Sequence, residues 1–575
     1  MKFSKNLHRA ISGWQRDAHR EKHNRTYRSI RNSTRNSSCN SNPGKGKPHR
    51  PLPPWFLFIP AGVTGIAIAL PLIYLVIRTT GVGGEQLWTL LFHPRTLAVL
   101  GNSAGMAIAV TLCSALIAVP LAFLTLRTDL PGRKFWLIST TLPLAVPSYV
   151  GSFALIASFG TKGSWLQLLL QPFGVQELPS IYGWPGTLLA LTLFTYPYLL
   201  ISVRAGLQGM NPALEESARS LGYSARATFF RVTLPQLRPS LVAGGLLVAL
   251  YALRDFGTPS LMRFDSFTRV IFLQYKSSFD RHSAAALALV LAGLVLLILG
   301  LEYRMRSRAA YYSQGSAYSK PPQLIPLGIW QLPALGFCTL LVSLGVVLPV
   351  GVTLFWLLRG WAIAGNPPGQ AVLQAAVNSV GGAGLAALTA TVLALPIAIL
   401  SVRFPGRITT AIERGSYLGF GLPGIVVALS LVFFGANYLP WLYQTLPMLV
   451  FAYLVLFLPQ AVGVLRSSLL QVNPHVEESA RSLGRTPWQV LHQVTLPLVR
   501  PGLLSAILLI LLTAIKELPA TLLLAPIGFE TLAVQIWKAT ENAAFADAAA
   551  GSLAMLFVCI SSTLVVLSQE RYQNS

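Results

Sequence analysis

Charge is what this sequence has least of. Asp, Glu, Lys and Arg make up 11% of its 575 residues, and only 19 of those are acidic. Cysteine is also rare: Cys39 lies in a polar N-terminal stretch, and Cys113, Cys338 and Cys559 lie in separate apolar runs. With no CxxC and no Cys/His cluster, neither a disulfide framework nor a structural zinc site follows. No GxxxxGK[ST] occurs, since Gly44-Lys45-Gly46-Lys47 lacks the spacing, so the chain is expected to hydrolyse no ATP of its own. No catalytic constellation of the HExxH or nucleophile-elbow kind is read from the sequence, so it is expected not to be an enzyme. His8, His19, His23 and His49 fall in the polar stretch and read as solvated residues, and Tyr275, Tyr303, Tyr311 and Tyr312 read as interfacial aromatics.

What fills the space is apolar. Hydrophobic residues reach 53%, and runs of about 20 recur, long enough to cross a ~30 Å hydrocarbon core as helices. Lipid offers backbone groups no partners, so such runs are expected to be helical throughout. About twelve spans follow, from Trp55–Ile77 to Gly551–Leu567, among them Phe135–Ala157, Leu241–Leu261 and Leu503–Leu524. The net charge of +25 then reads as basic loops on the cytoplasmic side rather than as a nucleic-acid surface. Residues 1–50, basic and nearly free of acids, are expected to be a disordered cytoplasmic tail; a lipid-contacting arm or a start further downstream are the alternatives. Alternation from there places both termini in the cytoplasm.

The chain repeats itself. Asn211–Leu241 and Asn473–Leu503 align without a gap at a shift of 262, with 17 of 31 positions identical. The repeat reaches further: Asn102-Ser103 pairs with Asn378-Ser379, Pro120 with Pro396, Arg127 with Arg403 and Pro147 with Pro423, all at a shift of 276. Arg204 pairs with Arg466, and Arg254-Asp255 with Lys516-Glu517, at 262. The expected organisation is a tail (1–50), a first half (51–308), a cytoplasmic linker (309–328) and a second half (329–575). Each half is one six-helix unit, and an even span count makes the two parallel, a transporter arrangement.

The repeated polar islands have their own logic. Asn211-Pro212 opens a helix whose first turn carries Glu215 and Glu216, where acids suit the macrodipole. Arg219 stands near its end, and Gly222 is placed to close it in a left-handed cap. Pro474, Glu477, Glu478, Arg481 and Gly484 repeat the pattern. A second short helix follows, capped by Ser224 or Thr486, with Pro235 and Pro497 expected to end it.

These residues resemble a known family. Glu216-Ser217-Ala218, Gly222, Val232, Leu234 and Pro235 match the EAA–G–I–LP signature of ABC importer permeases, and Glu478-Ser479-Ala480, Gly484, Val494, Leu496 and Pro497 match it again. Serine at the second signature position and valine for isoleucine are the departures. The resemblance runs from about residue 55 to the end and implies an all-α integral membrane protein with the ABC type I importer fold. It also implies a bacterial inner-membrane location, a cytoplasmic ABC ATPase (in two copies, one per loop) and a periplasmic substrate-binding protein. Glu215, Glu216, Ser217, Ala218, Arg219 and Gly222, with Glu477, Glu478, Ser479, Ala480, Arg481 and Gly484, would form the ATPase-coupling loops. No cofactor is expected on this chain, ATP acting through the partner.

Two halves fused in one chain are typical of ferric-iron and thiamine importers in that family, and YALRDFGTPSLMR and TAIKELPATLLL look like the ferric-iron importer permeases. Thiamine, polyamine or an inorganic anion are the alternatives within the class, and a secondary transporter is the alternative outside it. Asp255 and Glu517 stand about 14 residues beyond Leu241 and Leu503, roughly 21 Å of helix, inside the bilayer. Ionisable groups at that depth mark a pathway by default, and carboxylates suit a hard cation, although no fixed metal site is expected. Each acid also follows a base, so structural pairing stands beside path-lining. Gly257, Thr258, Pro259 and Pro519 are expected to break the helices beside the acids.

Overall fold

The computed structural model describes residues 54–80, 84–277, 281–309, 324–364 and 369–573. The expected basic tail falls outside these residues, as does most of the expected linker. Within them the regular structure is helical, apart from one isolated parallel bridge between Thr128 and Ile325.

Eight principal helices make each half. In the first they are α1 (Trp55–Thr80), α2 (Pro94–Arg127), α3 (Ser148–Phe159), α4 (Trp184–Gln208), α5 (Pro212–Ser220), α6 (Leu234–Arg254), α7 (Phe267–Ser277) and α8 (Arg281–Ala309). In the second, α9 (Leu348–Ala364), α10 (Gly369–Arg403), α11 (Gly424–Tyr438), α12 (Leu446–Gln471), α13 (Pro474–Ser482), α14 (Arg500–Ile515), α15 (Leu532–Glu541) and α16 (Phe545–Gln573) follow in the same order. The helices start or stop at the shifts seen in the sequence: α2 and α10 end at Arg127 and Arg403, and α5 and α13 run over matched residues.

Eight helices are long and apolar enough to cross a membrane. Two bent pairs, one per half, raise that to ten among the described residues; at the other two expected positions lie the shorter apolar helices Gly424–Tyr438 and Phe545–Ser561. Three expected spans are not the straight rods that hydropathy implies. Phe135–Ala157 is broken at Val146-Pro147, where the pieces Arg133–Ala145 and Ser148–Phe159 meet at 95°. Leu241–Leu261 ends as a helix at Arg254, and Leu503–Leu524 at Ile515; short helices Gly257–Leu261 and Pro519–Leu524 resume beyond each break.

Pro235 does not end a helix as expected, whereas the helix through Pro497 stops one residue beyond it, at Leu498. Helix runs from Ala225 to Arg254 through a wide π turn, Phe229–Thr233, and the π turn Leu491–Thr495 leads into Leu496–Leu498 in the same way. A π turn shifts the hydrogen-bond register, and a proline just past that shift removes a donor the ladder does not need. The copies part company only later: at Val499 the second path bends by 69° before α14, whereas α6 continues unbroken.

Each core is a three-helix contact, α2 on α4 and α6, and α10 on α12 and α14. At the α4–α6 crossing a Cβ on Gly206 would sit 2.4 Å from Ser240 Oγ, so only glycine fits opposite that serine. The second half has the same crossing with the two residues exchanged: a Cβ on Gly502 would lie 2.5 Å from Ser468. Small residues let membrane helices approach closely, where dispersion and not water drives association. The outer helices knit the halves together. From α1, the Tyr74 hydroxyl donates to the Phe433 carbonyl (3.3 Å), and Ser430 Oγ donates to the Pro71 carbonyl (2.7 Å); α9 answers with Trp356 Nε1 on the Ala157 carbonyl (3.5 Å).

Candidate functional site: two polar tips and a broken-helix centre

The repeated islands form the helix–turn–helix expected of them. Asn211 and Asn473 side chains accept from the amides of Ala213 (3.1 Å) and His475 (3.0 Å), opening α5 and α13. Each helix closes in a Schellman turn. Gly222 N–H bonds the Arg219 carbonyl and Tyr223 N–H the Ala218 carbonyl, at 2.9 and 3.1 Å; Gly484 and Arg485 do the same to Arg481 and Ala480, at 2.9 and 3.2 Å. The two glycines have φ of +87° and +80°, and a Cβ placed on either would meet nothing within 4 Å, so backbone conformation and not space requires glycine. Ser224 and Thr486 cap the second helix, Thr486 in a reciprocal box with Gln489.

The signature residues divide by direction. Glu216, Ser217, Arg219, Gly222, Glu478, Ser479, Arg481 and Gly484 are exposed or partly so, on the outer side of their helices. Ser217 and Ser479 hydroxyls bond back to the Ala213 and His475 carbonyls, so serine at the second signature position is satisfied within its own helix. Ala218 is buried and Ala480 half-buried beneath them. At each apex a leucine stands free: Leu221 is 79% exposed and Leu483 84%.

Glu215 and Glu477 turn the other way, into the protein. Glu215 accepts from the Thr233 hydroxyl at 2.9 Å and lies 3.9 Å from Arg127 Nη2. Glu477 accepts from Thr495 (3.1 Å) and from Arg403 Nη2 (3.2 Å), with Arg403 Nε 3.0 Å from its other oxygen. Sequence reasoning did not assign Arg127, Arg403, Thr233 and Thr495 to the site. Their signal was present, because each pair recurs at the repeat's own shift.

At the centre, Asp255 and Glu517 occupy the breaks beyond α6 and α14. Asp255 accepts from the Ser148 hydroxyl and from Thr258 N–H (2.9 Å), while Thr268 donates to its carbonyl (2.8 Å). Glu517 accepts from Ala520 N–H (3.4 Å), and Thr521 donates to its carbonyl (2.7 Å). Each carboxylate thus caps the short helix after its break and lies against the first residue of a half-length helix. That residue is Ser148 of α3 in one half and Gly424 of α11 in the other, where a Cβ would fall 2.1 Å from Glu517 Oε1. Helix N-termini favour negative charge, which is how these acids are tolerated at that depth. The neighbouring bases reach across the halves: Lys516 Nζ donates to the Leu144 carbonyl (3.3 Å), and Arg254 lies in electrostatic range of Glu517. All four side chains are half-buried.

Among the described residues no group of three or more His, Cys, Asp or Glu converges as a metal site. Against the expectation of no nucleophile-elbow pattern, a G-x-S-x-G spacing occurs at Gly101-Asn102-Ser103-Ala104-Gly105. Ser103 is buried in mid-α2, where its hydroxyl accepts from Phe267 N–H (2.9 Å), so the strand–turn–helix that would expose a nucleophile is lacking.

Two parallel membrane repeats, each with an outward helical tip and a polar break at its centre, define a two-half transport permease. The chain belongs to the family of binding-protein-dependent transport system inner membrane components, whose profile matches residues 127–310 and again 390–574. It is 34% identical to the Fe(3+)-transport system permease protein FbpB 2 of Haemophilus influenzae over 516 residues, covering 90% of this chain and 98% of that one. The ferric transport system permease protein FbpB of Actinobacillus pleuropneumoniae is 24% identical, covering 84% and 72%. The sulfate transport system permease protein CysT of Escherichia coli is 26% identical over 42% of this chain and 88% of its own. The chain is therefore a multi-pass membrane permease.

Proposed function

We propose that this chain is the translocation subunit of an ATP-driven importer for ferric iron. The observation that carries the reading is the pair of exposed, rigidly capped helices α5 and α13, each tipped by a bare leucine. A solvated loop has no reason to present the same apolar knob twice, whereas a groove on a partner does. On this reading each tip seats one cytoplasmic ATPase subunit, giving two per chain, and no cofactor is held by the permease itself. Glu216, Arg219, Glu478 and Arg481 flank the contact. Both termini then lie in the cytoplasm, with a substrate-binding protein docking on the periplasmic face.

Ferric iron is favoured because relatives covering nearly the whole chain are named for it, and because Asp255 and Glu517 offer hard oxygen ligands along the path. Two acids, joined by no third His, Cys, Asp or Glu among the described residues, suit passage rather than retention. One observation favours a second reading, an inorganic anion: Arg254 and Lys516 stand at the same level as the acids.

Reconstituted vesicles test both readings. The chain is combined with its ATPase and with the binding protein loaded in turn with ferric ion, sulfate or thiamine, and ATP hydrolysis is measured. Stimulation by the iron-loaded binding protein alone is expected. Stimulation only by another loaded form overturns the substrate, and none by any form, with all subunits assembled, overturns the importer reading.

A further inference from the structure

Each tip helix is fastened to the membrane bundle by one inward carboxylate. In the first half Glu215 joins Arg127 and Thr233; in the second Glu477 joins Arg403 and Thr495. The arginines are the last residues of α2 and α10, and the threonines close the π turns that lead into α6 and towards α14. A displacement of α5 or α13 is thereby delivered to two membrane helices at once. The side chains are 4% and 13% accessible in the first cluster and 11% and 6% in the second, so water competes little for these contacts. Separating a buried charge from its partner is costly, and the three groups therefore move as one body.

The clusters are not equal. Arg403 hydrogen-bonds Glu477 through Nη2 at 3.2 Å with Nε 3.0 Å from the other carboxylate oxygen, and Arg127 comes only within 3.9 Å of Glu215; in both clusters the same Nη2 also donates to a backbone carbonyl, Val472 or Leu207, at 3.1 Å. The backbone around Arg127 is also engaged from outside its half. Ile325 N–H bonds the Arg127 carbonyl (2.9 Å), Asp129 N–H bonds the Ile325 carbonyl (3.2 Å), and Leu327 N–H bonds Asp129 Oδ1 (2.9 Å).

We propose that Arg127–Glu215–Thr233 and Arg403–Glu477–Thr495 are positioning clamps that carry ATPase-driven movement of each tip helix into the membrane, the second being the stiffer and contributing more. This rests on the tip helices being the ATPase contacts. The clamps act after docking, so their loss separates two events that are otherwise inseparable: ATP is still hydrolysed, but the membrane helices no longer follow.

The test uses the full chain assembled with ATPase and iron-loaded binding protein in vesicles, and reads iron transported per ATP hydrolysed. Glu477→Gln removes the charge at nearly constant shape, and Thr495→Val removes only the hydroxyl. Both are expected to retain the ATPase and lose about tenfold in transport per ATP, within the usual range of coupling between sites. Thr495→Ser is expected to restore the ratio, and Glu215→Gln to lower it less than Glu477→Gln does. An unchanged ratio in both second-half variants, a serine variant as defective as the valine one, or loss of ATPase binding in both overturns the clamp. Equal losses from Glu215→Gln and Glu477→Gln overturn the inequality. Leu221→Asp with Leu483→Asp serves as a separate arm: an ATPase still bound and stimulated there would overturn the contact assignment itself, a result distinct from failure of the clamp.

Discussion

Replacing Gly222 and Gly484 isolates what the tip helices need from their turns. Both have φ near +80°, and a Cβ built on either meets nothing within 4 Å. A substitution that keeps the backbone N–H is therefore opposed by backbone strain alone, while proline also removes the donor to the Arg219 or Arg481 carbonyl. For an ordinary L-residue that strain is about 1–2 kcal/mol, a factor of about 5–30 in the population of the closed turn. Asparagine visits this region readily and forfeits little, alanine bears the full strain, and proline, locked near φ −65°, cannot adopt it at all. The double variants should therefore rank asparagine, alanine, proline in falling substrate-stimulated ATPase activity, with the proline protein still in the membrane because no packed neighbour is disturbed. The assay is hydrolysis in reconstituted vesicles with loaded and empty binding protein, set against the amount of permease inserted. Normal stimulation in the Gly222→Pro plus Gly484→Pro protein would refute the reasoning, as would an alanine variant indistinguishable from asparagine and proline alike.

Two further outcomes follow from close packing and from the central acids. Gly206→Ser should lower the yield of folded protein, since its Cβ would meet Ser240 Oγ at 2.4 Å. Adding Ser240→Gly should recover that yield, because the second half already uses serine at 468 opposite Gly502; a detergent-stability melt that shows no recovery counts against the crossing as described. Asp255→Asn keeps an acceptor for Thr258 N–H and a partner for Ser148, so the fold should hold while iron transport falls at least several-fold. Undiminished transport would assign Asp255 to capping alone.

Much of this molecule is legible without coordinates. Scarcity of charge and runs of about 20 apolar residues leave helices as the only way to satisfy the backbone in lipid. The repeat gives two parallel halves, because a duplicated unit with an even number of crossings returns to the same side. The tip helices are legible too, since Asn-Pro, paired acids and a glycine at fixed spacing are local devices acting within one or two turns. Which signature residue faces outward is not local. Glu215 and Glu216 are adjacent and chemically alike, yet one meets Arg127 and Thr233 from elsewhere in the chain while the other meets solvent.

The breaks divide in the same way. Gly257 and Pro519 announce their own, and Pro143 and Pro147 mark the 95° bend at Val146-Pro147, but a span drawn by hydropathy alone runs straight through it. Hydropathy averages over residues and is blind to where a helix stops. Only tertiary packing brings Asp255 to Ser148 and Lys516 to Leu144, and so turns two interrupted helices into one polar centre. Local sequence determined what each segment is; contacts between segments far apart in the chain decided which side chains face one another, because those energies exist only once the halves are assembled.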